Sequence, residues 1–364
     1  MTETATNLAD QRCDSVLRFN FKTVQTGDEN DSSGSTGMWD RRTGRRGVPR
    51  MTSSSQIVAI GECMIEMAPG SEGQWRLGVA GDTLNTLWYA RSHLDPDLGA
   101  LDYFTALGDD SFSDRIVAFL DANGIATDNI ARLSGRRPGL YFIEQHNGDR
   151  RFAYWRDASA ARRLAEDEAR LRCALENARA IYLSGISLAI LPPEGREALL
   201  RALEAVRSKG RIIAFDPNIR PILWESMDAA RETVMKAAAL ATIVLPSFDD
   251  EAACFGDVDP RETTRRYRRA GCLEVAVKNG QQPVTVLADE VVTSVEVAVV
   301  DKPVDATAAG DSFNGAYLAT RLTGGAPNEA AQAGCRMAEK VVAHHGALIR
   351  MPGMERWERP PVDL

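Results

Sequence analysis

Val304-Asp305-Ala306-Thr307-Ala308-Ala309-Gly310-Asp311-Ser312-Phe313-Asn314-Gly315 is the stretch on which the reading of this chain turns. It follows a β-rich run at 291–300. It leads into a helical pattern from 312 to about 322, with apolar Phe313, Ala316, Tyr317, Leu318 and Leu322. A small-residue turn that opens a helix aims several unpaired backbone N–H groups at one point, with the positive end of the helix dipole behind them. That is an anion site, and phosphate is its usual tenant. Ala308, Ala309 and Gly310 carry nothing beyond a methyl, so a phosphoryl group can approach the backbone closely. Asp311 is a poor phosphate ligand by itself. Beside an anion hole its carboxylate suits a proton acceptor that positions an attacking hydroxyl. In isolation the same run also fits an ordinary helix N-terminus with Asp as a cap.

Outward from this turn, strand and helix alternate. Residues 56–62 form a buried strand ending in a Gly turn, and 64–68 alternate like a half-buried strand. Residues 78–85 are a Gly-rich turn running into a helix with Leu84, Leu87, Trp88 and Arg91 at helical spacing. A strand at 101–107 is followed by a helix to Asn123, stopped by Gly124. Residues 139–145 and 151–155 are joined by Asn147-Gly148-Asp149, the turn chemistry of a β-hairpin. Later, short apolar strands at 181–184, 211–216, 243–246 and 275–278 are separated by helical stretches at 194–208, 228–239 and 260–270. This implies an α/β fold with a parallel sheet covered on both faces. Ligands of such sheets collect at the carboxyl ends of strands. Those ends carry Ser184-Gly185, Asp216-Pro217-Asn218, Pro246-Ser247 and Lys278-Asn279-Gly280. The hairpin does not fit a parallel sheet and is assigned to a small β lid.

The 364 residues are 44% hydrophobic and 26% charged, the composition of a soluble globular protein with a large core. A net charge of −8 without a long basic run after residue 50 speaks against nucleic acid as a partner. No apolar run approaches the roughly 20 residues a membrane helix needs. Six scattered cysteines, without Cys-x-x-Cys or His at ligand spacing, read as reduced thiols of a cytoplasmic protein. Residues 1–50 carry +1, lack sustained periodicity and are rich in Thr, Ser, Gly, Asp and Arg, so a disordered extension is expected there. Arg41, Arg42, Arg45 and Arg46 precede no apolar segment, which excludes a secretory signal. The main domain is expected at 51–358, with a short tail at 359–364.

The run at 305–314 resembles the C-terminal signature of the ribokinase-like carbohydrate kinases, usually Asp-Thr-x-Gly-Ala-Gly-Asp. Ala306 replaces the usual Thr, and Ala308 replaces the first Gly. Ala308 is expected to restrict the backbone to φ < 0 more than Gly would. The same Ala is familiar in the 2-keto-3-deoxygluconate kinase branch, and the runs 183–189 and Phe215-Asp216-Pro217-Asn218-Ile219-Arg220-Pro221 are similar to that branch too. The resemblance covers about 56–350. It implies a three-layer fold with a mostly parallel central sheet and a small β-sheet lid drawn from about 62–79 and 137–157. The implied activity is ATP- and Mg²⁺-dependent phosphorylation of 2-keto-3-deoxy-D-gluconate at its terminal hydroxyl. No Gly-x-x-x-x-Gly-Lys-[Ser/Thr] is present, so this is not a P-loop enzyme.

The resemblance also distributes roles. Asp311 becomes the catalytic base, and Ala308, Ala309 and Gly310 the anion hole. Residues 80–85 are similar to a Gly-Gly-x-x-x-Asn turn that binds sugar hydroxyls, which places Gly81, Asp82 and Asn85 at the substrate. Tyr141, Tyr154 and Arg156 match positions that hold the acid sugar, and Arg220 is the second carboxylate partner. Physics agrees: a guanidinium binds a carboxylate bidentately, and adjacent aromatics exclude water from the pair. Alternating aromatics on a hairpin are also ordinary packing. Lys278 and Gly280 belong to a loop near the nucleotide phosphates. Asp250 or Glu251, at the place of an Asn-x-x-Glu element, would serve the metal through water. The lid implies a homodimer. Two rivals stay open: a kinase for another sugar or sugar acid, such as fructose, gluconate-like acids or ribose, and a catalytically silent sugar-binding sensor.

Met51 stands just before the first clear strand. A chain beginning there is expected to fold and turn over like the full chain. Circular dichroism and an ADP-release assay check this, and a loss in either assigns residues 1–50 a role.

Overall fold

The computed structural model describes residues 55–351 except 70–73, 96, 98 and 147–148. The expectations for residues 1–50, for the tail and for the Asn147-Gly148 turn lie outside the described residues. In chain order the strands are β1 (Ser55–Ile60), β2 (Met64–Pro69), β3 (Trp75–Ala80), β4 (Leu101–Leu107), β5 (Ile125–Ala126), β6 (Ile130–Arg132) and β7 (Gly139–His146). They continue as β8 (Asp149–Trp155), β9 (Ala178–Ser184), β10 (Ile212–Asp216), β11 (Ile243–Val244), β12 (Glu274–Asn279), β13 (Gln282–Ala288) and β14 (Val291–Val295). The helices are α1 (Asp82–Arg91), α2 (Ser111–Ala122), α3 (Glu168–Glu176), α4 (Gly185–Ala189) and α5 (Pro193–Arg207). After them come α6 (Met227–Leu240), α7 (Phe248–Phe255), α8 (Pro260–Arg269), α9 (Ala309–Leu322) and α10 (Pro327–Val342).

Period-two alternation in the central strands builds two cores at once. Val58, Ile60, Ile181, Leu183, Ile213 and Phe215 pack with Leu171, Leu199, Val234 and Tyr267 of α3, α5, α6 and α8. Ile57, Ala59, Ala180, Tyr182 and Ala214 turn the other way, onto Leu84, Leu120, Phe313, Tyr317 and Ala330 of α1, α2, α9 and α10. Burial on both faces is why these strands read as unbroken apolar runs. The large sheet runs β14-β13-β12-β11-β10-β9-β1-β4-β5, with β6 on β4. It is parallel except for β13 and β14, which close one edge antiparallel. The expected β-rich run at 291–300 therefore stops at Val295.

β1 pairs with β4 on one side and with β9 on the other, so the chain order reverses beside its carboxyl end. There the chain leaves the large sheet for a second one, β3-β2-β7-β8. This is the lid. The expected turn at 78–85 gives its first three residues to β3 (Trp75–Ala80). The inner face of the lid sets Met64, Ala80, Tyr141 and Ile143 against Ala347, with Ala308 and Leu348 alongside.

α1 and α9 cross closely because Gly315 has no side chain. A Cβ there would lie 2.4 Å from the Thr86 carbonyl oxygen and 2.8 Å from the Ala90 nitrogen, both backbone atoms. Overpacking of this kind costs about 1–3 kcal/mol. Gly315→Ala is expected to lose that much stability in urea melts and to lower turnover as well, because the two helices carry facing site residues. Unchanged stability would mean that the helices part without penalty.

Candidate active site

α9 begins three residues earlier than its apolar pattern suggested, so Ala309, Gly310 and Asp311 form its first turn. Asp305 shapes the approach: its carboxylate accepts from Thr307 N (3.0 Å), Thr307 Oγ1 (2.7 Å) and Gly346 N (2.7 Å). Ala308 then caps the helix at φ 62, ψ 15, in the left-handed region. The expected restriction to φ < 0 is thus overturned. The methyl is accommodated where the family's glycine would stand, at a cost of roughly 1–2 kcal/mol, and packing under the lid holds it there. First-turn N–H groups have no intrahelical acceptor. That of Ala309 is used within the loop, on the Ala306 carbonyl (3.2 Å). Those of Gly310 and Asp311 remain at the helix mouth.

A buried charge lies behind this mouth. Lys278, near the end of β12, donates from Nζ to Asp216 Oδ2 (2.9 Å) and Asn314 Oδ1 (3.0 Å). A methyl added to Gly310 would lie 3.5 Å from that nitrogen. Lys278 therefore sits under the first turn of α9, with two acceptors among the described residues for its three N–H donors. Asn314 Nδ2 donates to Asp216 Oδ2 (2.6 Å) and to the Tyr182 hydroxyl (3.0 Å), which also accepts from Thr86 Oγ1 (3.1 Å). Gly280 is a turn residue between β12 and β13. Its φ of 56 favours glycine, and the space around it is open.

The turn into α1 faces Asp311. Asn85 Nδ2 donates to Asp311 Oδ2 (2.8 Å), while its Oδ1 accepts from Gly81 N at 3.4 Å. Gly81 is required by packing: a Cβ would lie 2.2 Å from the Glu62 carbonyl oxygen. Asp82 accepts from Asn218 Nδ2 (2.9 Å). Burial, then the Asp82 carboxylate and more weakly that of Asp216, push the Asp311 carboxyl up to about 8, against the opposing pull of Asn85 and Lys278. Asp82 is itself raised by burial, which outweighs its hydrogen bonds and the Arg156 charge.

On the lid, the Tyr141 and Tyr154 rings lie 5.7 Å apart, and the Arg156 guanidinium carbon lies 5.8 Å from the Tyr154 ring centre. Arg156 is ion-paired with Glu62, and the Tyr141 hydroxyl donates to Glu66. Burial raises the Tyr154 hydroxyl, with Arg156 and Arg220 both acting against it. Arg220 donates to Asp250 Oδ2 (3.0 Å). Asp250 stays partly open, its carboxyl raised by burial in spite of Arg220. Glu251 turns away from the cleft. Its fully buried carboxylate accepts from Arg266 Nη2 (2.6 Å) and the Tyr267 hydroxyl (2.9 Å), and burial pushes it up to about 7. The expectation of a metal role for Glu251 fails on that orientation.

The described structure thus gathers Asp311, the helix mouth, Asn85, Asp82 and Lys278, with Arg156 and Tyr141 close above. Asp216, Asn314 and Glu62 were absent from the expected site. Asp216 and Asn314 stood inside quoted motifs, and a buried Asp at a strand end was the available signal.

This cleft lies at the reversal point of a parallel sheet and beneath a β lid, and the chain belongs to the pfkB family of carbohydrate kinases, whose model matches residues 54–353. It is 40% identical over 308 residues to the 2-dehydro-3-deoxygluconokinase of Dickeya dadantii (strain 3937), covering 83% of this chain and 99% of that protein. The enzyme of the same name from Escherichia coli (strain K12) is 39% identical over 307 residues, with the same coverage. The solved PfkB protein of Polaromonas sp. JS666 superposes with a TM-score of 0.70 at 25% identity, over 79% of this chain and 96% of that one.

A base must be ionised, so kcat/KM is expected to rise with pH and to reach half its limit near 8, the value to which Asp311 is pushed. Asp82→Asn removes a neighbouring carboxylate and should move the inflection down by roughly one unit. Stability runs the opposite way. Because the folded value lies above the unfolded 3.8, Asp311 contributes stability at low pH that is lost as pH rises towards 8. The melting temperature of Asp311→Asn should therefore gain on wild type between pH 5 and 9; a constant gap contradicts the assignment.

Proposed function

We propose that this carbohydrate kinase transfers the γ-phosphoryl group of ATP to the terminal hydroxyl of 2-keto-3-deoxy-D-gluconate, giving the 6-phosphate and ADP. The observation that carries the reading is Asp311 at a helix mouth and held by Asn85, with the Lys278 ammonium beneath that mouth and Arg156 beside Tyr154 on the lid. The names of the relatives at 39–40% identity support the choice of sugar.

Asp311 orients the hydroxyl and accepts its proton, late if the transition state is loose. Asn85 holds the carboxylate through one oxygen and leaves the other for the substrate. The N–H groups of Gly310 and Asp311, with Lys278 behind them, take up charge on the transferred group. Mg²⁺ bound with the nucleotide would supply positive charge to its phosphates. Asp250 fits it through water, being partly open and close enough to Lys278 and Asp216 to feel both. Lid closure excludes water, which would otherwise compete as acceptor. Edge-to-face contacts of Trp75 and Trp155 with Phe142 (5.5 and 5.0 Å) leave both indoles exposed, which supports a homodimer through the lid.

A neutral-sugar kinase is the second reading, favoured by one observation: Arg156 and Arg220 each already hold a carboxylate. A substrate panel with and without Mg-ATP decides between them. Asp311→Asn should cut kcat by about 10²–10⁴ with little change in sugar KM. Arg156→Ala should lower kcat/KM roughly 10- to 150-fold on the acid sugar and leave a neutral sugar unaffected. Near-normal turnover in the first variant removes Asp311 from the mechanism, and an equal loss on fructose in the second removes the carboxylate reading.

A further inference from the structure

Glu62 is buried to 2% exposure at the point where the chain passes from β1 into the lid, and Arg156 is buried to 7%. Their ion pair is one-sided: Arg156 Nη2 donates to Glu62 Oε2, while Glu62 Oε1 and Arg156 Nε are buried without partners. Nη1 has no partner among the described residues. The surroundings are shaped to Glu62. A Cβ at Gly139 would meet its Oε1 at 2.7 Å, and one at Gly81 would meet its carbonyl oxygen at 2.2 Å. Arg156 also acts electrostatically on Asp82, the first residue of α1. A carboxylate arriving from the cleft would meet a cation that already carries one.

We propose that Glu62 is an internal counter-ion that competes with the acid group of the substrate for Arg156, setting the affinity for acid sugars without touching the reacting atoms. This rests on the reading of Arg156 given above. In the empty cleft Glu62 spares the protein an unpaired buried guanidinium. When the substrate binds, its carboxylate must take Arg156 from Glu62, giving up part of an ion pair already formed. Glu62 is therefore a specificity-determining residue that acts through another. A neutral sugar does not feel it.

Glu62→Gln keeps the shape and one acceptor while removing the charge. In the full chain its KM for 2-keto-3-deoxy-D-gluconate should fall about 10- to 100-fold, the size of one charged hydrogen bond no longer competed for. Its KM for fructose should not move, and kcat should not rise. An unchanged or higher KM for the acid sugar overturns the proposal. If Glu62→Gln does not fold, the double variant with Arg156→Gln, which leaves no unpaired charge, is compared with Arg156→Gln alone. Equal acid-sugar KM values are expected, because without Arg156 there is nothing to compete for; a difference overturns the proposal. Arg156→Gln by itself tests the underlying reading: equal losses on acid and neutral sugars sink that reading whatever Glu62 does.

Discussion

A lysine ammonium buried beneath the first turn of a helix is the constraint on which the site depends. Lys278 would be costly to bury alone, and the fold answers with Asp216, Asn314 and, through them, Tyr182 and Thr86. These residues come from β12, β10, α9, β9 and α1, so one connected network registers the carboxyl edge of the sheet against both central helices. The helix mouth thereby gains a full positive charge to add to its dipole. The network also explains why α9 carries a polar, fully buried Asn314 in an otherwise apolar stretch.

Around that cation the protein accepts local penalties. Asp82, Asp216 and Asp311 crowd together, and Ala308 occupies left-handed backbone. Such features persist only where the surroundings over-determine them, and they cluster where chemistry is done. Here the surroundings are identifiable. Asp305 ties the loop to Thr307 and Gly346, the lid packs on Ala308, and Gly315 lets α1 come close enough for Asn85 to hold Asp311. Burial, with the neighbouring carboxylates adding to it, is also what raises the Asp311 carboxyl above an ordinary acid value, the range a base working near neutral pH needs.

The architecture was legible because two-sided burial writes itself as short apolar runs between helical patterns. β4 was read to the residue at Leu101–Leu107, and the lid hairpin followed from its turn chemistry. What escaped has physical reasons. The short edge strands β5 and β6, with two and three residues, leave no period to detect. The start of α9 was placed late because Ala309 to Asp311 carry no apolar signal, although they are helical. At the site, residue types pointed to Asp311, but not to pairings across the chain. Nothing near Glu251 in sequence announces that Arg266 and Tyr267 will claim its carboxylate. Likewise the partner of Arg156 lies 94 positions away, at Glu62.

That last pairing belongs to a pattern. Lys278 holds Asp216, Arg220 holds Asp250 and Arg156 holds Glu62, so these three cations of the cleft each have a carboxylate partner before any ligand is considered. Tyr141 is matched to Glu66 in the same way. Left unpaired, the buried Lys278 and Arg156 would each cost several kcal/mol in the empty state, and the half-exposed Arg220 much less. Internal partners remove that penalty, and binding becomes an exchange of one carboxylate or phosphate for another. Exchange weakens affinity but sharpens choice: a ligand without charge at the right place has nothing to offer the displaced cation, and it leaves the internal pairs as they were. On the proposed function, discrimination between acid and neutral sugars then comes less from the arginines themselves than from the acidic residues that already hold them.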